Sequence, residues 1–388
     1  MRLLFPSLVL FFYVLVSLLL SLPYQPFIKV VAASVLLILV LKYTIYETIG
    51  GSFIAPDFPP WLLLIMEVLY SALVILAFLL VMKDCLALLL WLSRLFGSGQ
   101  HLPFTPGGRG IGLLGTAIAL SLFGTWKALQ VPNVHTIEVT LPRLPAELDG
   151  FSIVQLSDLH IGILLKGKWL QAVVTRTNSL AADFVVLTGD MIDGTPEAIK
   201  KDIEPLRELK ARHGVFGVTG NHEYYFDVQR WLPVFKELGV DILQNEYRTF
   251  SILGRNMVLA GFSDPAGVRY GESGLNPEMF QRHLPEGVRI LLQHRPSGDS
   301  DGFVTDLQLS GHTHGGNLFF IKWLIASFNG GLVGGLFDLD RKKLYVSPGT
   351  GIWAGFSCRL GIPSEITRII LKSPSTGENT CSLSQAAY

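Results

Sequence analysis

Aspartate, histidine and asparagine recur along the second half of this 388-residue chain in short, mostly glycine-flanked groups. In order they are Asp158-Leu159-His160, then Gly189-Asp190 with Asp193 shortly after it, Gly220-Asn221-His222-Glu223, His294, and Gly311-His312-Thr313-His314-Gly315-Gly316. Carboxylate, imidazole and amide oxygen without thiolate suit borderline divalent cations such as manganese, iron or zinc. There are more donors than one tetrahedral ion needs, so two ions sharing a bridging carboxylate is the economical reading. Paired ions stabilise both the attacking and the leaving oxygen of an in-line displacement, which suits phosphoryl transfer to water. Taken singly, each group reads as a turn or a surface histidine. Five of them in order on one chain do not.

Each group sits just past a short apolar run, or beside one. The runs 152–156, 184–187, 215–218, 257–260, 290–292 and 307–309 are predicted strands. Before them, 135–141 alternates apolar and polar residues with the period of a half-buried strand. Helical stretches at 168–180 and 196–211 separate the earlier strands, the pattern of an α/β architecture. The later strands lie closer together, between turns such as Leu253-Gly254-Arg255 and Asn329-Gly330-Gly331, so mixed sheets are expected rather than one doubly wound sheet. Ligands bind in the crevice beyond the carboxyl ends of such strands, where these loops can converge.

The ordered set resembles the calcineurin-like metallophosphoesterase family over about residues 151–316, and more loosely to 371. The stretches 309–316 and 220–225 are most similar to its membrane-associated branch. The resemblance implies two packed mixed β-sheets flanked by helices, with the site at their loop edge. It implies that Asp158, His160 and His314 hold one metal ion and that Asp190 bridges to a second, completed by Asn221, His294 and His312. It implies a metal-bridging hydroxide as nucleophile and His222 beside the phosphate, as general acid or as stabiliser of phosphoryl charge. Asp193 either orients His222 or caps the following helix, and Glu223 is read mainly as a cap. Arg295, directly after His294, departs from the smaller or acidic residues of the family pattern. It either contacts phosphate through its planar fork or faces solvent.

The N-terminal third has a different composition. Hydrophobic residues make up 49% of the chain and charged ones only 16%, with a mean hydropathy of +0.43. A soluble domain is nearer a quarter charged. The apolar excess lies before residue 130, in the stretches 3–22, 30–46, 61–82 and 110–126. A bilayer core takes roughly 20 apolar helical residues. The expected organisation is therefore a membrane domain at 1–130 with about four transmembrane helices, a phosphoesterase domain at 131–372, and a disordered tail at 373–388. The apolar run 85–92 is read as an interfacial helix beyond Lys83-Asp84, and Glu67 as a residue reaching the interface near Trp61. A cleaved leader would explain the first stretch only. Lys83, Arg94 and Arg109 lean the later loop towards the cytoplasm and the catalytic domain to the other side. Cys85, Cys358 and Cys381 are too scattered for a disulfide scaffold or a thiolate metal site.

Basic and acidic residues balance at 31 each, and there is no basic aromatic groove pattern, so no nucleic acid is expected as a partner. Directly after the last histidine group, residues 318–328 are almost wholly apolar, reading either as core or as a rim that docks on lipid. The expected activity is a membrane-anchored, dinuclear metal-dependent phosphohydrolase. Its substrate would be a phosphomonoester or phosphodiester, lipid-linked if the rim reading holds, with membrane lipids as partners. The alternatives are a nucleotide–lipid pyrophosphatase and a non-catalytic membrane scaffold or transport protein.

Overall fold

The computed structural model describes residues 4–97, 102–272, 284–298 and 303–374. The expected disordered tail falls outside the described residues from 375 onward. The chain forms two compact units, Met1–Leu129 with Ala354–Leu360, and Gln130–Trp353 with Gly361–Tyr388.

The first unit is helical. Helix α1 (Leu4–Val14) runs into a π-helical turn, Leu15–Leu19, and is followed by α2 (Pro26–Val40), α3 (Lys42–Thr48), α4 (Pro60–Arg94) and α5 (Pro106–Ala128). Proline opens α2, α4 and α5, where its missing N–H is harmless. By length and composition α4 and α5 can cross a bilayer, and α2 with α3 forms a third candidate bent by 59°. Leu4–Leu19 is shorter, so among the described residues the expected set of about four spans meets two full-length helices, or three with the bent pair.

Two expectations for this unit are corrected. The run at 85–92 is not a separate interfacial helix, because α4 continues through Lys83-Asp84. That charged pair is absorbed by side-chain bonds: Lys83 Nζ donates to the Ser17 carbonyl at 2.7 Å, and Ser17 Oγ and Tyr13 Oη donate to Asp84 Oδ2 at 2.6 and 2.9 Å. Glu67 does not reach an interface either. It is fully buried and accepts from Lys42 Nζ at 2.9 Å and Tyr46 Oη at 2.7 Å. Lys42 also donates to the Gly355 carbonyl at 2.8 Å and lies 4.0 Å from the Tyr70 ring centroid. Burial of one such charge alone would be very unfavourable, so the pair stands or falls together.

The second unit is a two-sheet sandwich. Its strands are β1 (Asn133–Thr140), β2 (Ser152–Leu156), β3 (Phe184–Thr188), β4 (Val215–Val218), β5 (Asp241–Ile242), β6 (Glu246–Ile252), β7 (Arg255–Phe262), β8 (Val288–Gln293), β9 (Leu307–Ser310), β10 (Gly335–Leu339), β11 (Lys342–Val346) and β12 (Glu365–Lys372). One six-stranded sheet has the order β1-β12-β2-β3-β4-β5 and the other β10-β11-β9-β8-β7-β6. Both are mixed. β2, β3 and β4 run parallel while β12 pairs antiparallel with β2, and β7, β8 and β9 run parallel while β6 pairs antiparallel with β7. Ile153, Phe184, Val186 and Val218 of the first sheet share one buried core with Met257, Leu259, Ile290 and Leu309 of the second. Helices α6 (Gly167–Asn178), α7 (Pro196–Ile203), α8 (Asn221–Tyr225) and α9 (Val228–Glu237) belong to the same unit, the first two between parallel strands. The helix expected over 196–211 stops early. Pro205 cannot continue an α-helix, and Glu204–Glu208 tightens into a 3₁₀ turn.

Candidate functional site

The metal-capable residues sit on the loops that leave the carboxyl ends of β2, β3, β4, β8 and β9. Those loops adopt backbone conformations that side-chain-bearing residues seldom take. Asp158, His160, Asp190, His312 and His314 all have positive φ, between 46° and 70°. Such geometry persists only where the surroundings over-determine it, and it clusters at functional sites. Two glycines permit the close approach. A Cβ at Gly220 would collide with the Asp190 carboxylate, and one at Gly311 with Ser157 and Asp158.

Two groups of donors result. Asp158, His160 and His314 form the first, with each residue's donor atom within 4.8 Å of the others. His160 Nε2 lies 3.2 Å from His314 Nε2, and His314 Nε2 lies 3.6 Å from Asp158 Oδ1. Asp190, His294 and His312 form the second. Here His294 Nε2 is 3.2 Å from Asp190 Oδ2 and 3.2 Å from His312 Nδ1. Two donors each about 2.1 Å from one cation lie roughly 3.0–3.4 Å apart at tetrahedral or octahedral angles. The three separations of 3.2 Å match the edges of such polyhedra, and the His314–Asp158 one, at 3.6 Å, is slightly wider. Asp190 Oδ2 also lies 3.9 Å from His160 Nε2, so one carboxylate faces both groups. Asn221 opens α8 between Gly220, which packs on Asp190, and His222, whose N–H donates to Asp190 Oδ1 at 2.9 Å.

Hydrogen bonds on the far side of each ring decide which nitrogen is available. His294 Nδ1 is 2.8 Å from the Thr188 carbonyl, which can only accept, so Nδ1 carries a hydrogen and Nε2 is the nitrogen turned to the site. His160 Nδ1 donates to Asp193 Oδ1 at 2.9 Å, with the same effect. Asp193 Oδ1 also accepts from His222 Nδ1 at 2.6 Å. The trio His160, Asp193 and His222 is compact enough to be a third donor group, but its facing atoms are committed to these hydrogen bonds. It therefore reads as a brace behind the first group and not as a metal site. Asp193 is not the cap of α7, because Thr195 holds that position.

The charges are tightly coupled. Burial disfavours ionisation of Asp190, yet His294 and His222 outweigh it and hold its carboxyl well below the usual range. Burial likewise disfavours the imidazolium of His222, but Asp190 and Asp193 push it up to about 9. Asp158 is raised, chiefly by burial. His312 is held well below its ordinary value by burial and by the positive His294 and Arg295 beside it, so it is neutral and able to ligate.

Glu223 was only half legible. It makes the capping bond to the Gly220 N–H at 2.6 Å, but it also accepts from the Asp190 and Met191 N–H groups at 3.0 and 2.7 Å. One buried carboxylate thus ties the β3 and β4 loops together. Arg295 is anchored beside the site: its Nε donates to the buried Asp264 at 2.8 Å and its Nη2 reaches Asn221 Oδ1 at 3.4 Å, while part of the side chain stays exposed. Trp353, which no motif marked, and Tyr225, the last residue of the stretch 220–225, flank the His222 ring at centroid distances of 6.2 and 5.3 Å.

Two groups of metal-capable side chains at the loop edge of paired mixed sheets are the arrangement of a metal-dependent phosphoesterase. Residues 151–316 match the calcineurin-like phosphoesterase family profile. The chain is 34% identical over 273 residues to a zebrafish (Danio rerio) transmembrane protein with metallophosphoesterase domain, spanning 68% of this chain and 62% of that one. It is 36% identical over 266 residues to an uncharacterized metallophosphoesterase of Campylobacter jejuni, spanning 66% of this chain and 68% of that one. An uncharacterized metallophosphoesterase of Aquifex aeolicus is 30% identical over 264 residues, covering 65% of this chain and 97% of its own. The chain belongs to the calcineurin-like metallophosphoesterase family, whose members are metal-dependent hydrolases of phosphate esters.

Proposed function

We propose that this protein is a membrane-anchored phosphohydrolase whose two divalent ions are held by Asp158, His160 and His314 on one side and by Asn221, His294 and His312 on the other, with Asp190 shared. The single observation that carries this reading is Asp190 Oδ2, which lies 3.2 Å from His294 Nε2 and 3.9 Å from His160 Nε2, one oxygen facing a donor of each group. When bound, the ions supply Lewis acidity at the phosphoryl oxygens and lower the pKa of a water. The chain's own contribution is positional and protonic. Asp193 fixes the rings of His160 and His222, and Asp190 with Asp193 keeps His222 protonated near neutral pH, its Nε2 ready to hand a proton to the leaving oxygen.

The substrate in this reading is a phosphate ester presented at a lipid surface. Support comes from Phe319–Phe328, which directly follows the turn carrying His314. Its helix, Lys322–Phe328, has no buried residue, and Phe319, Trp323 and Phe328 are 57%, 70% and 78% exposed. An apolar helix with an interfacial tryptophan beside a lysine suits the headgroup level of a bilayer. We keep the catalytic unit on the non-cytoplasmic side, on the loop charges alone. The test is Trp323→Glu with Phe328→Glu in the full-length protein, assayed on an ester in phospholipid vesicles and on a soluble aryl phosphate. The vesicle activity is expected to fall about tenfold further than the soluble one. Equal losses would remove the lipid-presented substrate from this reading.

A further inference from the structure

Arg295 directly follows the metal-capable His294, and the surrounding structure commits several groups to holding it there. Asp264 is buried, with one oxygen accepting from Arg295 Nε at 2.8 Å and the other from the Ala266 N–H at 2.8 Å. The same carboxylate therefore fixes the guanidinium and caps the short 3₁₀ helix Pro265–Tyr270. Arg295 Nη2 reaches Asn221 Oδ1 at 3.4 Å, while its side chain stays 39% exposed. A guanidinium has five N–H donors, and hydrogen bonds among the described residues take two of them, so most of this fork remains able to bind an anion.

What lies beside it is aromatic. Tyr225, in the same α8 as His222, has its ring 5.3 Å from the His222 ring and 6.5 Å from that of Tyr270. Tyr225 and Tyr270 are both exposed. The rings step outward from the histidine that would protonate the leaving oxygen, so they mark the leaving-group side. Arg295 is tied to the elements that carry both rings: its Nη2 reaches Asn221 at the start of α8, and Asp264, which holds its Nε, caps the turn that ends in Tyr270.

We propose that Arg295 and the Tyr225–Tyr270 wall select a substrate whose leaving half is a second phosphate carrying a flat ring, the chemistry of a nucleoside diphosphate ester. This rests on the phosphoesterase reading and deepens it. In the reaction, the oxygen of water joins the attacked phosphorus and the P–O bond to the second phosphate breaks. The leaving phosphate takes the proton of His222 while Arg295 neutralises its charge, and His222 recovers a proton released from the water. The products are one phosphomonoester and one nucleoside monophosphate, with no oxidant or co-substrate beyond water.

The test measures binding, so it does not depend on turnover. Full-length, manganese-loaded protein in detergent micelles is titrated calorimetrically with α,β-methylene-ADP, AMP and methylenediphosphonate. The wild type is expected to bind α,β-methylene-ADP at least about tenfold tighter than AMP. Arg295→Gln should weaken α,β-methylene-ADP by about 10–100-fold and AMP several times less. Tyr225→Leu with Tyr270→Leu should weaken both nucleotides by about tenfold or more, and methylenediphosphonate much less. Manganese content is matched across variants because Arg295 touches Asn221. If Arg295→Gln sheds metal, Arg295→Lys carries the comparison, since it keeps the charge and loses the two-sided fork. Equal weakening of AMP and α,β-methylene-ADP in the arginine variants, or equal weakening of all three ligands in the tyrosine variant, overturns the proposal. Failure of the phosphoesterase reading would look different: no metal-dependent ester hydrolysis by the wild type, whatever the binding pattern.

Discussion

Replacing Asp193 with asparagine removes one negative charge and leaves the shape of the side chain. Asp193 Oδ1 accepts from two imidazoles, at 2.9 Å from His160 and 2.6 Å from His222. Each bond changes from charge-assisted to neutral, a loss of roughly 1–1.5 kcal/mol, or about 2–3 kcal/mol for the two. If both losses fall on the transition state, kcat drops by about 30–150-fold. A second effect comes through His160. Loss of a carboxylate behind a metal-binding imidazole weakens metal affinity by about 10–100-fold. A third is structural. Asp193 Oδ2 is buried with no hydrogen-bond partner among the described residues, so the amide NH₂ of asparagine would be buried there without an acceptor, costing about 1–3 kcal/mol of stability. The assay is kcat against metal concentration on an aryl phosphodiester, with the thermal midpoint measured alongside. A variant that keeps kcat within threefold at saturating metal, with wild-type metal affinity, would refute the brace.

Glu223→Gln should destabilise the protein by about 2–4 kcal/mol, because one amide oxygen replaces a carboxylate that accepts three backbone N–H groups; chemical denaturation of the full-length protein checks this. Glu67→Ala should cost about 3–5 kcal/mol by leaving Lys42 buried and unpaired, whereas Glu67→Leu with Lys42→Met should restore most of it; thermal melting in detergent reads both. Burial opposes the imidazolium of His294, but Asp190 raises it to about 10, and a metal must displace that proton because Nδ1 is committed to Thr188. Metal affinity should therefore rise with pH from about 7 towards 10, with proton release visible in calorimetry across buffers of different ionisation heat. In the metal-free protein the sign is opposite: the stability from this raised histidine is fully present below its ordinary 6.5 and is lost as pH rises through about 10.

The parallel strands and the metal-capable loops were legible because both are local. A strand such as 184–187 announces itself as a short apolar run, and Asp190 follows it within a few residues. What escaped is what depends on distant pairing. β12 was not anticipated, although it sits between β1 and β2, since Glu365–Lys372 finds its partners far away in the chain. In the sequence Glu67 stands alone in an apolar stretch, because its partner, Lys42, is on a different helix. Asp264 and Glu223 work by accepting backbone or guanidinium hydrogens from other loops, and no spacing rule encodes that. The motif residues could be read because each stands with its neighbours in order, whereas Trp353 joins the surroundings of His222 only through three-dimensional contact.

The most direct measurement is hydrolysis of bis- and mono-aryl phosphates by the full-length protein, stripped of metal and reloaded with manganese, iron or zinc, with Asp190→Asn alongside. Two bound ions per chain are expected, with turnover that needs them and falls at least about a thousandfold in the variant, since the shared carboxylate serves both ions. A single ion per chain, or an Asp190→Asn protein that keeps its turnover within tenfold, would contradict a dinuclear site built on Asp190.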